Sequence, residues 1–170
     1  AYIVGYTDGT VGPARNMTRA EAAAVFARIL SETRGEALPD GRSSRFPDVD
    51  PDVWYADYVA YLEKLGVVIG CDDGKFHAEA SITREQFVTI CARLADWMEL
   101  ETYETDHGSF PDVTRDHWAA RYVREATRNG WVVGYPDGLF HGEDEITRAE
   151  VVTIVNRMLG RVADETYIRR

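Results

Sequence analysis

The sequence predicts a mainly α-helical fold built from three copies of one helix–loop–helix unit, the first copy lacking its first helix. In the chain of 170 residues, an Asp-Gly pair followed ten residues later by a Thr-Arg pair occurs three times. The Asp-Gly pairs begin at Asp8, Asp73 and Asp137, so the copies recur every 64 or 65 residues. A fixed period indicates one structural unit used repeatedly. We predict copy one at 1–45, copy two at 46–109 and copy three at 110–170.

The first helix of the unit, helix A, is predicted only in copies two and three. Each of these copies opens with Phe-Pro-Asp-Val and has a Trp eight residues after the Phe. Asp52 and Asp116 precede the Trp by two residues and are predicted to be N-caps. Apolar residues at helical spacing follow, and a Gly ends each segment. The predicted A helices span 53–65 and 117–129.

The second helix, helix B, is predicted in all three copies. It begins at the repeated Thr, where Thr-x-x-Glu indicates a capping box; copy two has Gln86 in place of the Glu. Each B helix then carries one apolar stripe at helical spacing. The stripes are Ala22, Val25, Phe26 and Ile29; Phe87, Ile90, Cys91 and Leu94; and Val151, Ile154, Val155 and Met158. Between the helices, the Asp-Gly pair predicts a turn.

The bulk composition excludes several classes of partner. The formal net charge is −10, from 19 basic and 29 acidic residues. This balance argues against nucleic acid, which requires a concentrated basic surface, and against anionic lipid. No apolar run approaches the ~20 residues of a membrane span, and no signal peptide is visible. Because the chain starts on an apolar segment at Ala1, we expect the parent polypeptide to be longer.

The sequence offers no signature of a metal centre or of catalysis. Cys71 and Cys91 lie apart from each other and from clustered histidines, so we predict no metal site and no cofactor. Phosphate-loop, nucleophile and His–Glu metal motifs are absent, so we predict that this chain is not an enzyme. Cys91 occupies the slot of Phe26 and Val155, which favours a buried, inert thiol over a disulfide or a reactive role.

The residue that caps and turns do not explain is the repeated Arg: Arg19, Arg84 and Arg148. Each is predicted at the first position of a B helix, where the helix dipole disfavours a cation by roughly 0.3 to 1 kcal/mol. One interpretation is a salt bridge to a carboxylate such as Asp48 or Asp112. The other is an anionic ligand held by the guanidinium and by free N–H groups of the helix.

Two aromatic residues also leave two interpretations open. Trp54 and Trp118 recur at the same place near the start of helix A. They could be core anchors, or flat platforms for a sugar ring beside a groove.

In this order and spacing, the repeated motifs resemble the S-layer homology repeat of bacterial cell-surface proteins. The matching motifs are Phe-Pro-Asp-Val, Val-Gly-Tyr-x-Asp-Gly-x-Phe and Ile-Thr-Arg-Ala-Glu. The resemblance implies a pseudo-three-fold array packed around a central helical bundle. It also implies an extracellular location in the cell wall or surface layer, and non-covalent anchoring to a secondary cell-wall polysaccharide. The pyruvylated sugar of that glycan would lie in grooves between repeats.

The resemblance further implies which residues bind the glycan. They are Arg19, Arg84, Arg148, Trp54, Trp118, Asp48, Asp112, Gly5, Tyr6, Gly134 and Tyr135. Copy two departs from the pattern with Cys71 in place of Tyr and with Glu85-Gln86 in place of Ala-Glu, so we expect its site to be lost or altered. The alternative function is a structural or protein-interaction module of a surface layer, without a bound glycan.

Overall fold

The computed structural model describes residues 2–5, 9–100 and 109–161, and it confirms the mainly α-helical fold. The helices are α1 (Arg19–Arg34), α2 (Ala56–Lys64), α3 (Arg84–Met98), α4 (Ala120–Arg128) and α5 (Arg148–Met158), with a short 3-10 helix at Gly41–Ser43. The B helices are α1, α3 and α5, and the A helices are α2 and α4. Within the described ranges, copy one therefore contributes a B helix without an A helix, as predicted.

The B helices begin where the sequence predicts. Thr18, Thr83 and Thr147 are the N-caps, and each side chain accepts a hydrogen bond from the backbone N–H three residues later. A side-chain oxygen of that third residue in turn accepts a hydrogen bond from the backbone N–H of the Thr, which closes all three capping boxes. Gln86 therefore replaces Glu in the box of copy two without loss of the cap.

The A helices begin three residues later than predicted, and the predicted Asp N-caps are wrong. The N-cap positions are Tyr55 and Ala119, and neither makes a side-chain capping bond. In copy two the backbone N–H of Asp52 donates to the carboxylate of Asp50, and consecutive tight turns lead into the helix. Asp52 therefore belongs to a turn that precedes α2 and does not cap the helix.

Three backbone hydrogen bonds link the copies in a closed cycle. Met17 N–H donates to Ile146 O at 3.0 Å, Ile146 N–H to Ile82 O at 3.1 Å, and Ile82 N–H to Met17 O at 2.9 Å. These three residues precede the B helices and are almost completely buried. Each copy thus donates to one neighbour and accepts from the other, which gives the predicted pseudo-three-fold arrangement.

The apolar stripes of the B helices belong to one continuous hydrophobic cluster. Phe26 of α1 meets Phe87 of α3 with 4.8 Å between ring centroids. Helix α2 packs on α1 and helix α4 packs on α3, so each A helix lies against the B helix of the preceding copy. Cys91 is completely buried in this cluster, as predicted, and burial raises the pKa of its thiol.

Candidate ligand grooves between the copies

The repeated Arg of each B helix reaches into the next copy. Arg19 contacts copy two, Arg84 contacts copy three, and Arg148 contacts copy one. Each guanidinium donates to a backbone carbonyl oxygen of that copy and to the third residue of its B helix. The three Arg therefore join the copies in a second closed cycle, which runs from donor to acceptor in the opposite direction to the cycle of Met17, Ile146 and Ile82.

Arg84 is nearly buried, with 6% of its surface exposed, and it has a carboxylate partner. Its Nη1 lies 3.4 Å from Oε1 of Glu150, and Nη2 donates to Val133 O at 2.8 Å. Burial works against ionisation of Glu150. Hydrogen bonds from Tyr135 and Thr147 and the charge of Arg84 outweigh burial, so the pKa of Glu150 is lowered. Arg84 thus faces a carboxylate that is ionised at neutral pH.

Arg148 has an equivalent arrangement and is 4% exposed. Its Nη1 lies 3.4 Å from Oε1 of Glu21, and two further nitrogens donate to Val4 O and Val11 O at 2.9 Å each. The salt-bridge interpretation therefore holds for Arg84 and Arg148. Its predicted partners are wrong, however, because the carboxylates are those of the neighbouring capping boxes.

Arg19 differs from the other two because it has no carboxylate partner among the described residues. Its Nε donates to Phe76 O at 2.7 Å and its Nη1 to Oε1 of Gln86 at 3.2 Å. The ring of Phe76 lies 5.1 Å from the guanidinium carbon. Among the described residues, no carboxylate oxygen comes within the 4.0 Å of an ion pair. These three contacts of the Arg19 guanidinium are therefore all with neutral groups.

The anion hypothesis requires free N–H groups at the start of each B helix, but these groups already have partners in this structure. The first two N–H groups of each B helix donate at 2.9 to 3.0 Å to carbonyl oxygens in the loop of the next copy. The third N–H donates to the capping Thr. An anion near these helices would therefore be held by the guanidinium groups and not by the helix ends.

Two grooves between copies are resolved, and we name them groove I and groove II. Groove I has a volume of about 520 Å³ and is lined by Arg19, by 67–72 and one face of α3, and by Trp118. Groove II has a volume of about 270 Å³ and is lined by Arg84, by 132–135 and by one face of α5. The two grooves occupy equivalent positions, and groove I brings together all three copies.

The core interpretation of Trp54 and Trp118 is wrong, because the two residues are 58% and 54% exposed. Trp118 lines groove I, and its indole Nε1 donates to Oε1 of Glu85 at 3.0 Å. Trp54 packs edge-on against Tyr55 and Tyr58. Trp54 lines neither groove I nor groove II, and the platform role of both rings stays a prediction.

Asp48 and Asp112 shape the loops of their own copies. The carboxylate of Asp48 accepts from Phe76 N–H at 2.9 Å and His77 N–H at 2.8 Å, and Asp112 bonds the equivalent residues of copy three. Burial works against ionisation of Asp48, but the backbone donors outweigh it and its pKa is lowered. Neither carboxylate lines groove I or groove II.

The remaining predicted residues lie in the loops before the Asp-Gly turns. Gly134 and Tyr135 line groove II, and the Tyr135 hydroxyl donates to Glu150. A Cβ added at Gly134 would lie 2.4 Å from a ring carbon of Phe110, so this position excludes a side chain. Gly5 lies in the exposed loop of copy one, whereas Tyr6 is outside the described residues.

A second repeated Arg was missed at the sequence level. Nine residues after the first Arg, every B helix carries another: Arg28, Arg93 and Arg157. Arg28 stacks on Tyr58 at 4.9 Å, and Arg93 stacks on Tyr122 at 5.3 Å. Arg93 and Arg157 also line groove I and groove II. An alignment of the three copies that extends beyond the first turn of helix B would have revealed this second repeated Arg.

The departures of copy two are matched by changes elsewhere. Glu85 stands where the other B helices have Ala, and its side chain fills space at Gly142, where a Cβ would lie 2.6 Å from Oε2. The equivalent loop residues in copies one and two are Pro13 and Ala78. The carboxylate of Glu85 binds Trp118 and lies 3.5 Å from Nε2 of His117. The change to Glu85 in copy two is therefore accompanied by contacts with Gly142 and Trp118 of copy three.

The described part of the chain contains no cluster of three or more His, Cys, Asp or Glu side chains suited to a metal ion. None of the described helices combines the length and the apolar character that crossing a membrane requires.

Comparison with known proteins supports the resemblance. A family model described as the S-layer homology domain matches residues 2–23, 45–88 and 109–152, which is more than half of the chain. Cell surface glycoprotein 1 of Acetivibrio thermocellus is 33% identical over 168 residues, or 95% of this chain. The cellulosome-anchoring protein of the same organism is 33% identical over 160 residues, or 94% of this chain.

The chain matches only a part of these relatives. It spans 7% of the length of cell surface glycoprotein 1 and 36% of the cellulosome-anchoring protein. Amylopullulanase of Thermoanaerobacterium thermosulfurigenes is 31% identical over 161 residues, which is 92% of this chain and 8% of the enzyme. The same unit therefore occurs in proteins of different activities.

Proposed function

Because the chain belongs to the S-layer homology domain family, we propose that it anchors a longer protein non-covalently to the bacterial cell wall. Its relatives are cell-surface proteins of bacteria, and this chain shares that location. Only 8% of the amylopullulanase is matched, so the match does not account for that enzyme's activity. We infer that this unit is non-catalytic and that catalysis belongs to other parts of such proteins.

The proposed ligand is a secondary cell-wall polysaccharide that carries a pyruvylated sugar. The observation that supports this proposal is groove I, which is lined by the exposed Trp118 and by Arg19, a residue with no carboxylate partner in the part of the chain that the structure describes. Guanidinium groups pair well with carboxylates, and indole rings pack on the apolar faces of sugars. In an acidic chain, such a groove supplies a local site for an anionic sugar.

The test is calorimetry of the chain with wall polysaccharide before and after chemical removal of the pyruvate. We expect binding only before removal, and a loss of binding in Arg19→Ala. Arg124→Ala removes the same charge at an exposed position away from both grooves and should bind like the unchanged chain. Equal titrations with both polysaccharides would contradict a role for the pyruvate.

A second function is favoured by the ion pairs of Arg84 and Arg148. Both guanidinium groups are buried and donate to a neighbouring copy, as expected of a purely structural module, although Nε of Arg84 has no hydrogen-bond partner among the described residues. If neither form of the polysaccharide binds, this structural role within a surface layer is the better description.

A further inference from the structure

We infer that His141 is a pH-sensitive clamp, which tightens the junction between copies two and three when its ring is protonated. We define this junction as the contact of the loop 137–144 of copy three with the start of α3. The ring of His141 lies between the carboxylates of Asp137 and Asp144, at the two ends of that loop. The inference concerns the stability of the fold near neutral pH and does not depend on the ligand.

Both nitrogens of the His141 ring face a carboxylate. Nε2 lies 2.6 Å from Oδ2 of Asp137, and Nδ1 lies 3.7 Å from Oδ2 of Asp144. A neutral imidazole has one N–H and serves one of these carboxylates, whereas the imidazolium has a donor on each nitrogen. The arrangement therefore favours the protonated ring, and the hydrogen bond to Asp137 is the main reason that the pKa of His141 is raised. The third ring at this place is that of Tyr135, which lies edge-on at 5.0 Å and whose pKa is raised by burial.

The backbone of His141 has a conformation that favours Gly. Its φ is 55°, in the left-handed region, and the equivalent residue of copy one is Gly12 with a φ of 58°. A residue with a side chain adopts this conformation at a cost in free energy. The N–H of His141 donates to Asp112 at 2.8 Å, and its ring meets the two carboxylates of the loop. These contacts offset the cost, so the conformation of the loop depends on His141.

The loop that His141 holds is the part of copy three that contacts α3. Gly142 O accepts from the N–H of Glu85, and Asp144 O accepts from the N–H of Arg84, both at 2.9 Å. The N–H of Asp144 also donates to His141 O at 3.2 Å. Asp144 therefore meets the ring with its side chain and α3 with its backbone. A change in the charge of His141 acts on the loop whose carbonyl oxygens join the two copies.

Other charged groups face this loop from α3 and from the start of copy three. Asp112 is a third carboxylate that favours the charged form of His141. On α3, Arg84 contacts the residue before His141, and Glu85 contacts the residue after it. His117 lies 3.5 Å from the carboxylate of Glu85, so it is a second ring that can titrate at this junction. The experiment must therefore separate the two rings.

The other two copies provide an internal comparison. In copy two, His77 lies 2.7 Å from Asp73 in the same way, but Ala80 stands at the position of the second carboxylate. In copy one, Gly12 stands at the position of the ring. Among the described residues, a ring between two carboxylates of its own loop is therefore a feature of copy three.

The direction of the pH dependence follows from the raised pKa of His141. A ring whose pKa is raised by folding contributes its full stabilisation below the pKa of the unfolded chain, about 6.5 for His. That contribution is lost as the pH rises through the higher pKa of the folded state. The junction should therefore be tighter at pH 5.5 than at pH 8. Because the ring is partly exposed, we expect an effect of about threefold on the local opening equilibrium.

The test is amide hydrogen exchange of the whole chain at pH 5.5 and pH 8, expressed as protection factors, which correct for the intrinsic effect of pH. The amides of Arg84 and Glu85 report on the junction of copies two and three. Those of Arg148 and Ala149 report on the equivalent junction with the loop of copy one. Relative to this second pair, protection of the first pair should be about threefold higher at pH 5.5 than at pH 8. Equal changes at both junctions would overturn the inference.

The decisive variant is His141→Asn, because Asn tolerates a left-handed backbone and does not titrate in this range. It should abolish the difference between the two pH values. His77→Asn makes the same change in copy two and should preserve the difference. His117→Gln removes the second ring of the junction and should preserve it too. If the difference survives in His141→Asn, or disappears in His117→Gln, the clamp is not His141.

The two carboxylates are tested by NMR titration of the ring protons of His141. Asp144→Ala introduces the residue of copy two and keeps the backbone oxygen that accepts from α3. Asp137→Asn keeps an oxygen for the N–H of Leu139, which now bonds Oδ1 of Asp137 at 3.0 Å. We expect the pKa of His141 to fall in both variants, since each removes one negative charge beside the ring. A pKa that is unchanged in both would contradict the clamp.

Discussion

Replacement of Asp48 by Asn should destabilise copy two in a way that depends on pH. The carboxylate of Asp48 accepts two backbone hydrogen bonds, from Phe76 at 2.9 Å and from His77 at 2.8 Å. An Asn offers one carbonyl oxygen, and its NH₂ group would face the other backbone donor. The substitution therefore loses one charge-assisted bond and converts the second into a neutral bond.

The size of the effect follows from these two bonds. Hydrogen bonds to a charged group are worth about 1.5 to 3 kcal/mol, and neutral ones about 0.5 to 1.5 kcal/mol. Because Asp48 is only half-buried, the lower ends of these ranges apply, and we expect a loss of about 2 kcal/mol at pH 7. The bonded loop also holds His77 at a φ of 56°, a left-handed conformation that an L-residue adopts at a cost.

The pH dependence follows from the lowered pKa of Asp48. A carboxyl whose pKa is depressed by folding contributes its full stabilisation above the pKa of the unfolded chain, about 3.9 for Asp. That contribution is lost as the pH falls through the lower pKa of the folded state. The difference in stability between the unchanged chain and Asp48→Asn should therefore shrink at pH values below about 4.

The measurement is urea denaturation at pH 7 and at pH 3, followed by circular dichroism. Asp72→Asn removes an exposed carboxylate of the same copy and should change the free energy of unfolding by no more than about 0.5 kcal/mol. Equal losses in the two variants at pH 7 would refute the reasoning. So would a loss in Asp48→Asn that is as large at pH 3 as at pH 7.

Three further outcomes can be checked on the same purified chain. Gly134→Ala should lower the free energy of unfolding by about 2 kcal/mol or more, because its Cβ would overlap a ring carbon of Phe110 at 2.4 Å. Gly138→Ala should lower it by only about 1 kcal/mol, because Gly138 has a φ of 81° but open space around it. Equal midpoints of the two variants in thermal melts would contradict this difference. Arg84→Ala should cost about 3 kcal/mol in urea titrations, because it leaves a partly buried carboxylate without its counter-charge; a loss below 1 kcal/mol would refute the ion pair. In the native state a thiol reagent should modify Cys71 and not Cys91, which is completely buried; mass spectrometry of the labelled chain decides, and rapid labelling of both would refute it.

The B helices were predictable because their start signals are local. Thr18, Thr83 and Thr147 need only a side chain three residues away to close a cap, and that partner is visible in the sequence. The A helices were less predictable because an Asp can bond more than one nearby N–H. Asp is a residue type that favours the N-cap position. At Asp52, however, the backbone N–H donates to the carboxylate of Asp50 in a turn, and α2 begins only at Ala56.

The sequence singled out the repeated Arg of each B helix, but it could not identify the partners of that Arg. From the sequence, the Glu of the capping box was given a role in its own helix alone. A carboxylate has two oxygens, however, and each can have a different partner. In Glu150, Oε2 accepts from the backbone of Thr147 while Oε1 faces Arg84. The second partner comes from another copy 66 residues away, and no local pattern reveals such a contact. The same limitation concealed the bond between Glu85 and Trp118.

The closed cycle of hydrogen bonds through Met17, Ile82 and Ile146 bears on how the chain folds during synthesis. Copy one and copy two can pair as soon as both have left the ribosome. The donor at Met17 must still wait for Ile146, 129 positions further along the chain. Contacts of such long sequence separation form late, because a long loop must close first. Helix α1 therefore reaches its final environment only when copy three arrives, and until then the N–H of Met17 lacks its acceptor.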